Sequence, residues 1–410
     1  MPKGWEIKHL SELASKISDG IHKTPLYADT SEIYFINGNN LKSGSIVIQD
    51  STKCVDENDA INHRKDLGVR TLLMSINGTI GNLAYYRGEN VVLGKSASYI
   101  NIKDSVNLDF IYYVLSSSKT QAFYESELTG TTIRNLSIKS IKSTEILTPP
   151  LPEQKKIAQI LLTWDNAISV TEKLLTNSQQ QKKALMQQLL TGKKRLLDEN
   201  GTRFSETWKL YALSELFQRV TTKNNGKSNN VVTISGQHGL IKQEDFFKKT
   251  VASDTLDGYF LLKKGQFAYN KSYSNGYPMG AIKRLNRYPE GVVTTLYICF
   301  ELTTPKKSCG DYWEHYFESG LLNNSLSQIA HEGGRAHGLL NVKPSDFFSL
   351  KVAVPGFEEQ QKIASVLSSA DTEISTLEKK LACLKDEKKA LMQQLLTGKR
   401  RVKVDEAVAV

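Results

Sequence analysis

A chain of 410 residues, 40% hydrophobic and 23% charged, is too long for one small core and is expected to divide into two or three domains. It has no apolar run long enough to cross a bilayer, and its opening, MPKGWEIKHL, has no apolar signal region, so a membrane or secreted protein is not expected and the cytoplasm is. A formal charge of +10 favours polyanionic partners, nucleic acid first, and the four scattered cysteines show neither metal-ligand nor redox spacing.

Residues 1–150 read as a mixed α/β globule. TLLMSI, NLAYYR and SASYINI are short strands between turn signals, and LDFIYYVLSSSKTQAFYESEL, from Leu108, has the period of one amphipathic helix before a glycine-rich loop. Residues 151–192 are expected to form one long helix, with Ile157, Leu161, Trp164, Ile168, Leu175, Leu185 and Leu189 on a heptad seam that Thr171, Ser178 and Lys182 weaken. A polar connector, 193–206, leads to a second globule, 207–356. There VVTISG, QFAYN and VVTTLYICFEL read as strands and DYWEHYFESGLLNNSLSQIA as a helix. Residues 357–398 are a second long helix, its seam running from Ile363 through Leu367, Ala370, Ile374, Leu377, Leu381, Leu384 and Leu391 to Leu395. Only Lys388 interrupts it, and 399–410 is a basic tail.

The two long helices are copies of each other. KKALMQQLLTGK runs from Lys182 to Lys193 and again from Lys388 to Lys399, an offset of 206 (388 minus 182), and the match extends without a gap back to Pro152 and Glu358. Each copy is a rod of about 38 residues, or about 57 Å. Neither can bury its stripe alone, so the expected arrangement is an antiparallel coiled coil within one chain, a pseudo-two-fold dimer with a globule for each rod. Gly192 and Gly398 suit left-handed caps, and the basic residues after them complement the helix ends. A fainter repeat, WEIKHLSEL from Trp5 and WKLYALSEL from Trp208, opens each globule. The globules otherwise diverge, as they would if each read a different half of a split site on duplex DNA, with the rods setting the gap. The seam does not explain why Lys183, Gln187 and Gln188 recur as Lys389, Gln393 and Gln394. This repeated outer face is the candidate docking surface for two copies of one partner.

Catalytic machinery is not evident in the sequence. No G-x-x-x-x-G-K-[ST] phosphate loop occurs, and the seven histidines are scattered, with His331 and His337 lacking a nearby third ligand. The Pro-Pro pair in LTPPLPEQ has neither the Asn nor the aromatic of an adenine-methyltransferase motif and reads as the turn before a helix.

Reading base edges needs Arg, Lys, Asn or Gln donors among groups that grip phosphate. In the first globule the candidates are His22, Lys23, Asn37, Asn39, Asn40, Asn77, Thr79, Lys95, Arg134 and Asn135. In the second they are Lys223, Asn224, Lys227, Gln237, His238, Lys271, Tyr273, Asn275, Tyr277, Arg335, His337 and Asn341.

SDGIHKTPLY from Ser18, SINGTIGNLAYY from Ser75, PPLPEQKKIAQIL from Pro149 and the doubled KKALMQQLLTGK together resemble the specificity (S) subunits of type I restriction-modification systems, over essentially the whole chain. The resemblance implies an α+β protein with two target recognition domains on an antiparallel coiled coil, a bipartite double-stranded DNA target, and no catalysis by this chain. It implies assembly with two copies of a modification subunit that methylates adenine from S-adenosylmethionine, and through them with ATP- and Mg²⁺-dependent restriction subunits, leaving no cofactor in this chain. In the second globule QFAYNKSYSNGYPMGAI, from Gln266, departs from the family's SINGTIGNLAYY pattern. A structural coiled-coil adaptor without sequence-specific DNA binding, or a self-sufficient restriction or methylation enzyme, are the alternative readings.

Overall fold

The computed structural model describes residues 2–129, 134–247, 255–332 and 340–404. It divides into two compact units, each holding one globule with part of either long helix. One contains residues 1–172 and 380–410, the other 173–379. Among the described residues no helix is long and apolar enough to cross a membrane.

In the first unit a four-stranded antiparallel sheet has the order Ala14–Asp19, Ala97–Ile102, Thr71–Ser75, Leu83–Tyr85. Thr71–Ser75 is buried on both faces, so its middle, Leu72 to Met74, is apolar at successive positions rather than alternating. Glu6–His9 pairs antiparallel with Glu145–Thr148, bringing the start of the globule beside the approach to the first long helix, Leu151–Leu189. The second unit repeats the plan. Phe217–Arg219, Ile298–Leu302, Phe267–Asn270 and Ala281–Arg284 follow one another in the same order, and Lys209–Ala212 pairs with Lys351–Val354 ahead of the second long helix, Phe357–Leu396.

Three sequence expectations are corrected in detail. The helix from Leu108 is two, Leu108–Ser116 and Ser118–Ser126, because the Ser117 hydroxyl accepts a hydrogen bond from the Thr120 amide and caps a new start. The helix from Asp311 likewise becomes Gly310–Glu318 and Asn323–Ile329, parted at Gly320, whose φ is +74°. VVTTLYICFEL is not one strand but the ends of two, Glu290–Val293 and Ile298–Leu302, separated by a turn in which the Tyr297 amide donates to the Thr294 carbonyl.

The antiparallel sense of the helices is visible inside each unit. In the first, Asp165 pairs with Lys388 and Glu172 with Lys385, so one helix advances as the other retreats. In the second, Ser178 meets Glu373 and Lys182 meets Asp371. The two lysines that appeared to spoil the seam are therefore its polar locks: each reaches a carboxylate, and the pairs Asp165–Lys388 and Lys182–Asp371 exchange under the 206-residue offset. Leu395 and Leu396 of the second helix complete the first core beside Ile157 and Leu161, and Leu189 of the first, with Leu190 just past its end, completes the second core beside Ile363 and Leu367.

A buried carboxylate fastens each globule to its helices. Glu153, 4% exposed, accepts from the Trp5 indole at 3.0 Å and from Arg401 at 2.7 and 2.9 Å. Glu359, 2% exposed, accepts from Trp208 at 3.1 Å and from Arg195 at 2.6 and 2.7 Å. Each arginine follows the glycine cap of one long helix and reaches the first turn of the other, a bidentate pairing that a helix-end dipole does not require. The next residue finishes the joint. Gln154 receives the Asn107 amide at 2.9 Å and donates to the Pro149 carbonyl at 2.8 Å, as Gln360 does with Cys309 at 3.0 Å and Pro355 at 2.9 Å. The Glu-Gln of PLPEQ and GFEEQ thus turns the chain into its helix and caps the neighbouring one.

Candidate nucleic-acid interface

In the first unit five loops meet at one end of the strands of the large sheet. The Ile21 amide donates to the Leu93 carbonyl at 2.7 Å, placing His22 and Lys23 beside the turn that carries Lys95. Gly20 is needed there, since a Cβ would lie 2.2 Å from the Leu93 and Gly94 oxygens. The Gly38 amide donates to the Ser96 hydroxyl at 3.0 Å, which in turn donates to the Asn37 side-chain oxygen at 2.8 Å. Asn77 donates to the Lys95 carbonyl at 3.3 Å and bridges to Asn135, and the Gly78 amide reaches the Arg134 carbonyl at 3.4 Å.

This arrangement sorts the candidates. His22, Lys23, Asn39, Thr79, Lys95 and Arg134 are exposed, whereas Asn37, Asn77 and Asn135 are half-buried and hold the loops together. Asn40 is a correction. It is 6% exposed, its amide donates to Val47 and Thr52 and its oxygen accepts from the Asn37 amide, so it shapes the loop and has no edge to offer a base. His22 sits 2.7 Å from Asp19, and Arg134 lies 3.3 Å from Glu125, an exposed pair that leaves the guanidinium free to exchange partners.

In the second unit the Tyr277 hydroxyl donates to the Gly236 carbonyl at 2.8 Å, pressing the turn with Gln237 and His238 onto the turn with Tyr273 and Asn275. Those four side chains are exposed. Tyr277 itself is half-buried, packed on Gly236 and receiving Lys283 at 2.9 Å. Burial, then the Glu318 carboxylate, push its phenol well above the ordinary range, so it serves the scaffold rather than the surface. The Lys271 carbonyl accepts from the Leu340 amide, which brings exposed Asn341 alongside. Lys271 is half-buried, its ammonium pushed below its usual value by burial and by Arg219. Lys223 and Lys227 are exposed on a separate turn packed against residues 257–260, where Lys223 donates to the Gly258 carbonyl at 2.7 Å. Asn224 is a second correction: wholly buried, it spends its amide on Ser228. Arg335 and His337 lie outside the described residues.

A cleft of about 820 Å³ opens beside Gln237 and His238, and exposed Arg287, in the turn after Ala281–Arg284, stands on its wall. Sequence reasoning missed this cation. Its only signal was a basic residue in a proline-containing turn, NRYPEG, between two strands.

Residues 2–177 match the sequence model of the type I restriction modification DNA specificity domain. The type I restriction enzyme MjaVIII specificity subunit of Methanocaldococcus jannaschii is 25% identical over 78% of this chain and 76% of its own. The putative MjaX specificity subunit of the same organism is 24% identical over 98% and 95%. Among solved structures, the type I restriction-modification S subunit from M. genitalium superposes with a TM-score of 0.57 at 17% identity, covering 95% of this chain and 96% of that one. The HsdS subunit from Thermoanaerobacter tengcongensis gives 0.50 at 15%, with 98% of each covered. The matched domain covers the first globule and much of its helix, the curated relatives span both halves, and the fold repeats itself: residues 2–177 carry a type I restriction-modification DNA specificity domain, and the chain as a whole is similar to specificity subunits of such systems.

Proposed function

We propose that each globule reads one half of a bipartite duplex DNA site through its loop edge, and that the chain itself performs no catalysis. One observation carries this reading: the same sheet order and the same carboxylate clamp occur twice, while the exposed loop residues differ between the copies. Conserved mounts with divergent tips suit two readers of different sequences. The exposed side chains at the edges are the types that fit base edges and phosphates, and the charge of +10 supplies the long-range attraction.

Two copies of a modification subunit dock on the repeated helix faces formed by Lys183, Gln187 and Gln188 and by Lys389, Gln393 and Gln394, all exposed. S-adenosylmethionine, ATP and Mg²⁺ belong to the modification and restriction subunits, and the complex works in the cytoplasm. The test is a domain exchange: replacing residues 1–150 by another recognition domain changes one half of the methylated sequence and leaves the other half as it was. A change in both halves refutes the assignment, and methylation by the purified chain alone with S-adenosylmethionine refutes its non-catalytic role.

A further inference from the structure

The two globules rest on their helices through equivalent positions that differ in one titratable residue. In the first unit Tyr113, on Leu108–Ser116, donates its hydroxyl to Asp165 at 2.7 Å, and Asp165 also holds Lys388. In the second the equivalent residue is His315, on Gly310–Glu318, and the equivalent carboxylate is Asp371, which holds Lys182. His315 is 7% exposed, its Nε2 is 3.0 Å from the Ser368 hydroxyl and its Nδ1 is 3.7 Å from Asp371.

We propose that His315 is a positioning residue which seats the second globule on its helices while the imidazole is neutral, so that this seat loosens in acid and the first globule's seat does not. The surroundings support an uncharged ring. Asp371 on the second helix is already committed to Lys182 on the first, and that ammonium repels an imidazolium. On its own helix Asp311 is paired with Arg284, Glu318 with Lys283, and Glu314 accepts from Asn286. Burial pushes the ring below its ordinary value, against the pull of Asp371. A folded-state pKa below the unfolded one gives stability that is present above about pH 6.5 and lost as the pH falls through the folded value. The first seat has no such group: burial, then the hydrogen bond to Asp165, hold the Tyr113 phenol far above neutrality.

The inference does not depend on DNA reading, and its test needs no DNA. Hydrogen exchange on the full chain at pH 7.5 and 5.5, corrected for intrinsic rates, reports each seat separately. We expect protection of residues 310–318 to fall in acid, by up to about tenfold for each pH unit that separates the folded and unfolded pKa values, while residues 108–116 keep theirs. His315→Tyr abolishes the fall. Tyrosine is what the first unit carries at the equivalent position, where Tyr113 meets Asp165. The reciprocal Tyr113→His creates an acid response at 108–116, and a ring titration of His315 by NMR in the unaltered chain covers the case in which a variant misfolds. An acid response that survives in His315→Tyr, equal responses at both seats, or a ring pKa at or above that of free histidine overturns the proposal.

Discussion

Glu153 and Glu359 show how a single carboxylate can decide whether a globule stays attached. Each is almost fully buried and satisfied by an indole and a guanidinium. Removing the guanidinium leaves a buried charge with only the indole to compensate it, whereas a surface pair would cost little. Arg195→Ala is therefore expected to destabilise the second unit by about 3 kcal/mol, read as a lower denaturation midpoint with loss of exchange protection confined to that unit. Arg195→Lys should rescue only in part, because an ammonium cannot reproduce the fork that spans both oxygens of Glu359. At the loop edge, Lys95→Ala should weaken duplex binding across sequences and reduce the slope of log affinity against log salt by about 1, the signature of one lost phosphate contact. A slope unchanged from the parent would remove Lys95 from the interface.

The long helices set direction through what looked like defects. Their apolar seams alone do not fix the sense of pairing, but a lysine at 182 and at 388 can be accommodated only where a carboxylate stands opposite. Asp371→Leu leaves Lys182 without its partner and is expected to cost about 2 kcal/mol, less than a fully buried pair because Asp371 is half-exposed. The double variant Lys182→Leu/Asp371→Leu should recover most of that loss, at the expense of register, visible in thermal unfolding as a restored midpoint with a broadened transition. If the double variant is as unstable as the single, the pair is not a register device. Helix lengths, the repeat and the two caps were legible in the sequence because heptad spacing and terminal glycine are local signals. The partners of Lys182, Lys388, Arg195 and Arg401 were not, since each lies more than 150 residues away along the chain and no local pattern encodes it.

At the scale of the molecule, duplication explains why the second globule was legible as a fold and illegible as a site. Its sheet repeats the strand order of the first, but its loops differ: Asn224 and Tyr277 have the chemistry of readers yet stand buried and half-buried as supports, while Arg287 lies in a turn on the cleft wall. In the first globule short Asn-Gly and Gly-rich turns gather at one end of the sheet, with Asn40 buried and Asn37, Asn77 and Asn135 half-buried among them. Duplex binding by the whole chain is expected to fall steeply with salt, by several powers of ten in affinity between about 50 and 200 mM if six or more phosphates are gripped. An adaptor whose charge is incidental would show no such dependence.

The grip of Arg401 on Glu153 also dictates a sequence of events at birth. A ribosome makes the amino-terminal head first, yet the guanidinium that locks it, and Leu395 and Leu396 that close its interior, emerge only after the whole second globule has been made. A stop codon just ahead of Leu395 would therefore cripple the part translated earliest and spare the part translated later.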